Sequence, residues 1–558
     1  MQRAIVSSVA WAIIAAWHVP TAWAGQITLH PASAMVRIGG ADGDPIPPAN
    51  AHCALDAVRG EREGMQFAVL SNSDTSGDLR IDVRAGQRAG APDAHLYRVV
   101  AVNHTAPPAE GMFVVPPRRL GWIPDVLVPM DLRAKVPTGT PAADQPPLTF
   151  YLEFAVDRRT SPGSYRYTVE VTPTAGESGT LGVELTVHDV ALPVRLPFRT
   201  AVCWNWSLTD YCGRQLTDDE KRAFWHFCLD YRLSPCAFFS REPSPTPLEA
   251  AELIDRGLSL VCLMQVSGRS PRPLSDKQKE RYAPLLQRWS SQLRDCGLDS
   301  DAVVLLADEP PESSIDVCRA NAAFFKQHFP QLKIWLATRP SDAWAGFADV
   351  FDVVTAHSTE LYASHSHDEK AARWWRQTRP FPAGEYWWFH SVEPYAPYTN
   401  VRLDNLPIEG RVSGWQSALY AVDGYEYFWI ADWKANKPSK DVPWPERARQ
   451  WKTGLSGAGT MCYPQETIAR SQGGQQRVRP IPSLRLVNLR DGIEDWALLE
   501  MLVPRLSTVG RRTYIAPVTT SLETFTTEPD ILLAARRKVI SDLAAHRASS
   551  TGVGVPTN

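Results

Sequence analysis

From Phe198 onward, short apolar runs alternate with helix-forming segments eight times, and this rhythm limits the fold more than any other feature of the chain. The runs are Thr200–Trp206, Pro235–Phe239, Leu258–Val266, Ala302–Ala307, Lys333–Ala337, Val350–Ala356, Tyr386–Phe389 and Tyr425–Ile430. Each is nearly continuous in apolar content, as a strand covered on both faces must be, and strands separated by helices pair in parallel. The intervening segments carry helix signals. Thr217 with Glu220, and Thr246 with Glu249, have capping-box spacing, the second pair with Pro247 at the first helical position. Ser275 caps a segment that runs to Cys296, and Gly297 stops it. Eight such units predict a (β/α)8 barrel over residues 196–505, its last helix running from Ser483 to Leu502. An open doubly wound sheet is the alternative, but the first strand lacks the G-x-G-x-x-G turn of a dinucleotide-binding version.

Residues 25–195 follow a different rule. Met65–Leu70, Arg80–Arg84, Leu148–Val156, Tyr165–Val171 and Leu181–Val187 are β-type runs separated by Pro, Gly and Asp, with no long helical period between them. That spacing predicts a β-sandwich, joined to the barrel by a linker at Pro193 to Pro197. Residues 1–24 read as an export signal: Arg3, an apolar stretch from Ala4 to Trp17, and the A-x-A site Ala22-Trp23-Ala24. The apolar run is short for a bilayer span, and no later segment approaches that length. The expectation is an exported protein, periplasmic or extracellular, with no membrane span in the mature chain. Residues 506–558 are expected to hold one more helix beyond Pro529 and a disordered Ser/Thr/Gly end.

A formal charge of −3, from 58 basic and 61 acidic residues with no Lys/Arg stripe, provides no field for a nucleic-acid partner. Nine cysteines leave at least one unpaired and form no C-x-x-C zinc pattern. Cys203 and Cys262, inside apolar strands, read as buried thiols, and a Cys203–Cys212 disulfide stays open. No P-loop or G-x-S-x-G elbow is present, and no cofactor is implied. Twenty tryptophans stand out: a flat apolar face with one N–H donor suits a sugar ring, although packing accounts for most of them.

In barrels of this type reactive groups gather at the C-terminal ends of the strands. Here those ends carry Trp204-Asn205-Trp206, Gln265, Asp308-Glu309, Thr338-Arg339, His357, Trp388-Phe389-His390 and Asp432-Trp433. Two acids, several aromatics and hydrogen-bonding groups therefore converge on one rim. Asp308-Glu309 follows the apolar run Val303–Ala307 at once. Alternation in a continuing strand would turn one acid away, but Pro310 restricts Glu309 and ends regular pairing, so both carboxylates reach the mouth. Two neighbouring acids push one pKa up and create a general acid beside an ionised partner. The alternative is an acid cluster at a helix N-terminus.

These residues, with others along the chain, resemble glycoside hydrolase family 123, the β-N-acetylgalactosaminidases and their relatives. Gly60-Glu61-Arg62-Glu63-Gly64-Met65-Gln66-Phe67 and Gly121-Trp122-Ile123-Pro124-Asp125 resemble its sandwich, and Leu306-Ala307-Asp308-Glu309-Pro310 its catalytic strand. Arg411 through Trp415 and Asp423-Gly424-Tyr425-Glu426-Tyr427-Phe428-Trp429 resemble its late barrel. Ile481 through Arg485 and Leu489-Arg490-Asp491-Gly492-Ile493-Glu494-Asp495-Trp496 resemble its closing helix, so the likeness runs from about residue 30 to 505. It implies a retaining, substrate-assisted hydrolase of β-linked N-acetylhexosamine in which the sugar's own 2-acetamido oxygen attacks the anomeric carbon. Asp308 would orient the acetamido N–H, and Glu309 would protonate the leaving oxygen and then activate water. Configuration would be retained, and no second acid would be needed across the sugar.

Trp204, Trp206, Trp388, Trp429 and Trp433 are candidates for the wall under the sugar, Asn205 and His357 for binding its hydroxyls. Tyr386 is the candidate for the acetamido oxygen, and the chain departs from the family at Phe389, where the family commonly has Tyr. A glycosidase that uses Glu309 with a separate nucleophile, Glu385 or Glu393, is the second reading, and a non-catalytic polysaccharide-binding envelope protein the third. His365 and His367 beside Asp368 and Glu369 invite a metal reading, but no metal is expected. Arg490, Asp491, Glu494 and Asp495 read as structural charge pairs along one helix. A glycan substrate is the only partner implied.

Overall fold

The computed structural model describes residues 26–39, 44–71, 77–104, 119–138, 146–205, 208–238, 240, 242–338, 351–358, 384–433, 454–468, 476–502 and 508–551. Ten strands build the N-terminal region: β1 (Ile27–Ser33), β2 (His52–Arg59), β3 (Arg62–Ser71), β4 (Gly77–Ala85), β5 (Asp93–His104), β6 (Gly121–Met130), β7 (Arg133–Thr138), β8 (Leu148–Ala155), β9 (Gly163–Pro173) and β10 (Gly179–Ala191). They form two five-stranded sheets, β1-β3-β8-β5-β6 and β2-β10-β9-β4-β7, antiparallel except for β2 beside β10. Period-two alternation builds the core between them. On β9 Tyr165, Tyr167, Val169 and Val171 face inward, toward Phe67, Phe150 and Phe154 of the other sheet. β3 and β8 are buried on both faces, because the far side of their sheet packs on the barrel, where Val102, Ile123 and Tyr151 join the barrel's core cluster.

Eight strands follow: β11 (Arg199–Cys203), β12 (Pro235–Cys236), β13 (Val261–Ser267), β14 (Ala302–Asp308), β15 (Lys333–Ala337), β16 (Val353–His357), β17 (Glu385–His390) and β18 (Gly424–Tyr427). All eight expected runs are strands. They form one parallel sheet ordered β12-β11-β18-β17-β16-β15-β14-β13. Among the described residues its ends, β12 and β13, share no ladder. The seam is closed by the Ser234 and Ser259 hydroxyls, 3.0 Å apart, and by the Gln265 N–H donating to the Ser240 carbonyl at 2.9 Å. The result is a nearly closed, TIM-like barrel behind a sandwich. Its interior is filled from alternate residues, including Cys203, Cys262, Val303, Leu305, Trp335 and Trp387, while Val202, Val304, Leu336 and Val354 face the helices.

The helix signals act where they were read. Thr217, Thr246 and Ser275 each accept the backbone N–H three residues on, and each box is reciprocal. The last barrel helix spans Leu484–Leu502, and a further helix, Pro529–Thr551, lies beyond it. The helix Pro407–Tyr420 crosses Leu484–Leu502 at glycine. A Cβ on Gly414 would lie 1.9 Å from the Gly492 carbonyl oxygen, so the two backbones touch. Both helices are almost wholly buried, which is why neither shows an amphipathic stripe.

Where sandwich, barrel and C-terminal helix meet lies a buried ion network. Arg411 pairs with Asp495 (2.8 Å) and Glu63 (3.1 Å). Arg536 grips both oxygens of Glu61 at 2.7 Å and reaches Asp495 at 2.8 Å. Arg490 pairs with Glu153 and Asp491. The charges on Leu484–Leu502 are structural, as expected, but most of their partners lie on other elements, in the barrel, the sandwich and the C-terminal helix. The one pair at i, i+4, Arg490–Glu494, is 4.0 Å apart.

None of the nine cysteines is in a disulfide. No described helix is long and apolar enough to cross a membrane. The expected export signal lies outside the described residues.

Candidate active site

Asp308 reaches the lumen through a defect in its strand. On β14 Leu305 lies opposite Trp335 while Asp308 lies opposite Ala337, so three steps on β14 span two on β15. Without that bulge, alternation would have sent Asp308 toward the helices. With it, Asp308 shares the face of Trp335 and Ala337, which line the barrel interior. The next residue leaves β-geometry altogether. Glu309 adopts φ +48° while its N–H donates to the Ala337 carbonyl at 2.7 Å. A left-handed backbone at a non-glycine residue costs about 1–2 kcal/mol, and here it turns a second carboxylate to the same mouth. Pro310 ends the strand, as expected.

Arg269, in the loop after β13, forms an ion pair with Glu309; the two side chains are 68% and 35% exposed, so the pair sits at the rim. Asp308 lies deeper. Burial first, and then the charge of Glu309, raise its pKa above the ordinary aspartate value, with Arg269 opposing. A third carboxyl, Glu426 of β18, is buried, and burial followed by Asp308, Cys262 and Glu309 raises its pKa well above the ordinary value.

The other expected site residues divide by strand parity. His357 is buried on the lumen side, its ring 3.9 Å from that of Phe389. Asn205 follows β11 and accepts a hydrogen bond from the lumen thiol of Cys203 (3.6 Å). Trp429 packs against the lumen cluster. Four residues expected at the sugar belong instead to the helix-side layer. Trp204 packs on Phe224 and Trp225 and donates its indole N–H to the Ser244 carbonyl (2.9 Å). Trp433 packs on Tyr211 and Phe224 and donates to the Cys462 carbonyl (2.8 Å). Trp388 meets Tyr420 edge-on, and Tyr386 on the same strand face joins the same core. Trp387 and Phe389 alternate with them and take the inner face, where the Trp387 ring lies 5.3 Å from that of Trp335, tilted by 52°. Trp206, Arg339, His365 and His367 lie outside the described residues. Among the described residues no group of three or more metal-ligating side chains forms.

Glu385, the alternative nucleophile, is at the wrong end of the barrel: Lys333 and Arg199 pair with it beside Asp301. Glu393 is exposed in the loop after β17. Sequence reasoning missed Glu426 and Arg269. Glu426 had a signal, a lone acid between two apolar neighbours on a strand, whereas Arg269 in its loop had none.

Comparison with known proteins supports the same assignment. The family described as "Glycoside hydrolase 123, catalytic domain" matches residues 264–502. A family 123 glycoside hydrolase from Clostridium perfringens has the same fold, with a TM-score of 0.64 at 14% identity over 94% of this chain and 99% of that one. A Bacteroides fragilis protein (10% identity, 71% and 55% covered, TM-score 0.27) and a Bacteroides ovatus GH5 xyloglucanase (9%, 88% and 98%, TM-score 0.18) are too distant in structure to carry argument. No curated protein matches the sequence. The match spans the strands that carry the three carboxyls, so residues 264–502 of this chain form a glycoside hydrolase family 123 catalytic domain.

Proposed function

We propose that this hydrolase removes β-linked N-acetylhexosamine, N-acetylgalactosamine in the first instance, with retention and by substrate assistance. The observation that carries the reading is that a bulge and a left-handed residue bring Asp308 and Glu309, adjacent in sequence, to one mouth. Adjacent acids cannot flank a sugar from opposite faces. They can serve a substrate that supplies its own nucleophile. Asp308 accepts the acetamido N–H and steadies positive charge as the oxazolinium-like ring closes. Glu309 protonates the departing oxygen, then takes a proton from water as the ring opens. The free enzyme has Arg269 on Glu309, and the leaving-group sugar takes that place.

The Clostridium perfringens enzyme is described as hydrolysing glycolipid glycans, and a glycan of that kind is the proposed natural substrate. Export, supported by Arg3, the apolar stretch to Trp17 and Ala22-Trp23-Ala24, would bring the enzyme to it. The test uses aryl β-GalNAc, β-GlcNAc and β-galactosides with and without an N-acetyl-thiazoline inhibitor. Turnover confined to acetamido sugars and blocked by the thiazoline is expected; cleavage of plain galactosides overturns the reading.

A further inference from the structure

We propose that Glu426 touches the substrate, its carboxyl hydrogen-bonding a hydroxyl of the sugar held between it and Asp308. The inference rests on the glycosidase reading of the mouth but not on substrate assistance. In the strand order β18 lies four places from β14, halfway round an eight-stranded barrel, so Glu426 and Asp308 face each other across the lumen. Tyr425 and Tyr427 are in the helix-side core, which leaves Gly424 and Glu426 on the inner face. At Gly424 that face is filled: a Cβ would lie 2.6 Å from the Trp387 indole. Trp387 and Trp335 thus close the barrel interior on this side, and Glu426 is the next inward residue toward the mouth.

Glu426 is 7% exposed, and its Oε2 is buried without any hydrogen bond from the protein. The contrast with other acids in the barrel is direct. Glu385 has Lys333 and Arg199, and Asp301 has Arg195 and Arg199. A buried carboxyl oxygen with no partner is destabilising and persists where a ligand completes it. Burial, and then the charge of Asp308, raise its pKa well above the ordinary glutamate value and so favour the neutral form. A neutral carboxyl offers one donor and one acceptor, which matches a sugar hydroxyl that also does both. The same neutrality makes it a poor nucleophile, so a two-carboxylate displacement through Glu426 is disfavoured.

The experiment compares Glu426→Gln and Glu426→Leu in the full chain, using whichever aryl glycoside the wild type turns over, together with thermal unfolding. Calorimetric titration with N-acetylgalactosamine and with galactose runs in parallel. Glu426→Leu is expected to raise KM or the sugar Kd about tenfold or more, the loss of a hydrogen bond made on binding, while Tm rises because an unsatisfied buried group is gone. Glu426→Gln, which keeps a donor and an acceptor, stays within about threefold of wild type in kcat and KM. Abolished kcat in Glu426→Gln overturns the proposal in favour of a nucleophile. Unchanged KM and Kd with a lowered Tm in Glu426→Leu overturns it in favour of a structural residue, and so does a wild type that neither binds nor cleaves any of these sugars. Because the ratios are read on the substrate actually used, cleavage of plain galactosides would end the substrate-assisted reading and leave this one standing.

Discussion

Two regions of this molecule bury carboxylates, and they treat them in opposite ways. At the junction of sandwich, barrel and C-terminal helix, Glu61, Glu63, Glu153, Asp491 and Asp495 are each met by Arg411, Arg490 or Arg536. At the barrel mouth, Asp308, Glu309 and Glu426 gather around one lumen, and among the described residues only Arg269, on the rim, offsets them. The residue types are the same, and Glu426 is buried like the junction acids, with Asp308 half-buried and Glu309 at the rim. The difference is compensation: the first cluster fixes how the domains sit, and the second holds charge that a substrate must complete.

The comparison breaks most visibly by mutation at the mouth. Asp308→Asn and Glu309→Gln should each lower kcat by about 10²–10⁴-fold, the usual contribution of a positioned acid or base, with Tm unchanged or raised. Steady-state kinetics and thermal unfolding on the same samples check this, and near-normal turnover of an acetamido sugar by Asp308→Asn would end the substrate-assisted reading. The junction should respond in reverse. Arg490→Met leaves Glu153 and Asp491 buried with too little positive charge, at a cost of about 3–5 kcal/mol, while kcat per folded molecule holds. Urea unfolding followed by intrinsic fluorescence measures the loss.

These two clusters were unequally legible in the sequence. The barrel was readable because eight apolar runs and reciprocal caps at Thr217, Thr246 and Ser275 are local signals. Asp308 and Glu309 were readable as a pair at a strand end, but the means of turning both inward was not. The bulge at Leu306 and the φ of Glu309 depend on register with β15, a non-local property. The aromatic wall failed for a related reason. Trp388 and Trp387 are neighbours, and only parity, fixed by Tyr420 on one side and Trp335 on the other, decides which one faces the lumen. At the junction, Arg490 and Asp495 read as structural pairs along one helix because their real partners, Glu153 and Arg536, are hundreds or tens of residues away.

A smaller effect tests whether backbone contact also belongs to the structural region. The Gly414–Gly492 crossing sets the spacing of the two helices that carry Arg411 and Arg490. Gly414→Ala has no flexible side chain to displace, only the Gly492 carbonyl, so the helices must separate. A loss of about 1–3 kcal/mol is expected. Since the ion pairs on those helices move apart together, Gly414→Ala and Arg411→Met should be non-additive in a double-mutant cycle. Additivity would mean that the crossing and the ion network act separately.

The smallest effect gives one carboxyl from each region, Glu153 at the junction and Glu426 at the mouth, opposite signs of pH dependence. Burial alone would raise the Glu153 pKa, but Arg490 and Arg62 outweigh it and push the carboxyl from 4.5 down to about 2. A depressed pKa in the folded state stabilises above the unfolded value and is lost as pH falls from about 4.5 toward 2. Glu426 runs the other way. Its raised pKa gives a contribution that is whole below the unfolded value of 4.5 and lost as pH climbs toward the folded one. Each single group changes stability by at most about 1.4 kcal/mol per pH unit. Glu153→Gln should therefore flatten the acid limb of a stability–pH curve and leave the neutral limb alone, whereas Glu426→Gln should flatten the neutral limb and leave the acid limb alone. Denaturant melts at intervals from pH 2.5 to 8.5 resolve the two limbs. If both variants flatten the same limb, the mouth is compensated in the same way as the junction, and the distinction between a structural and a functional carboxyl cluster is lost.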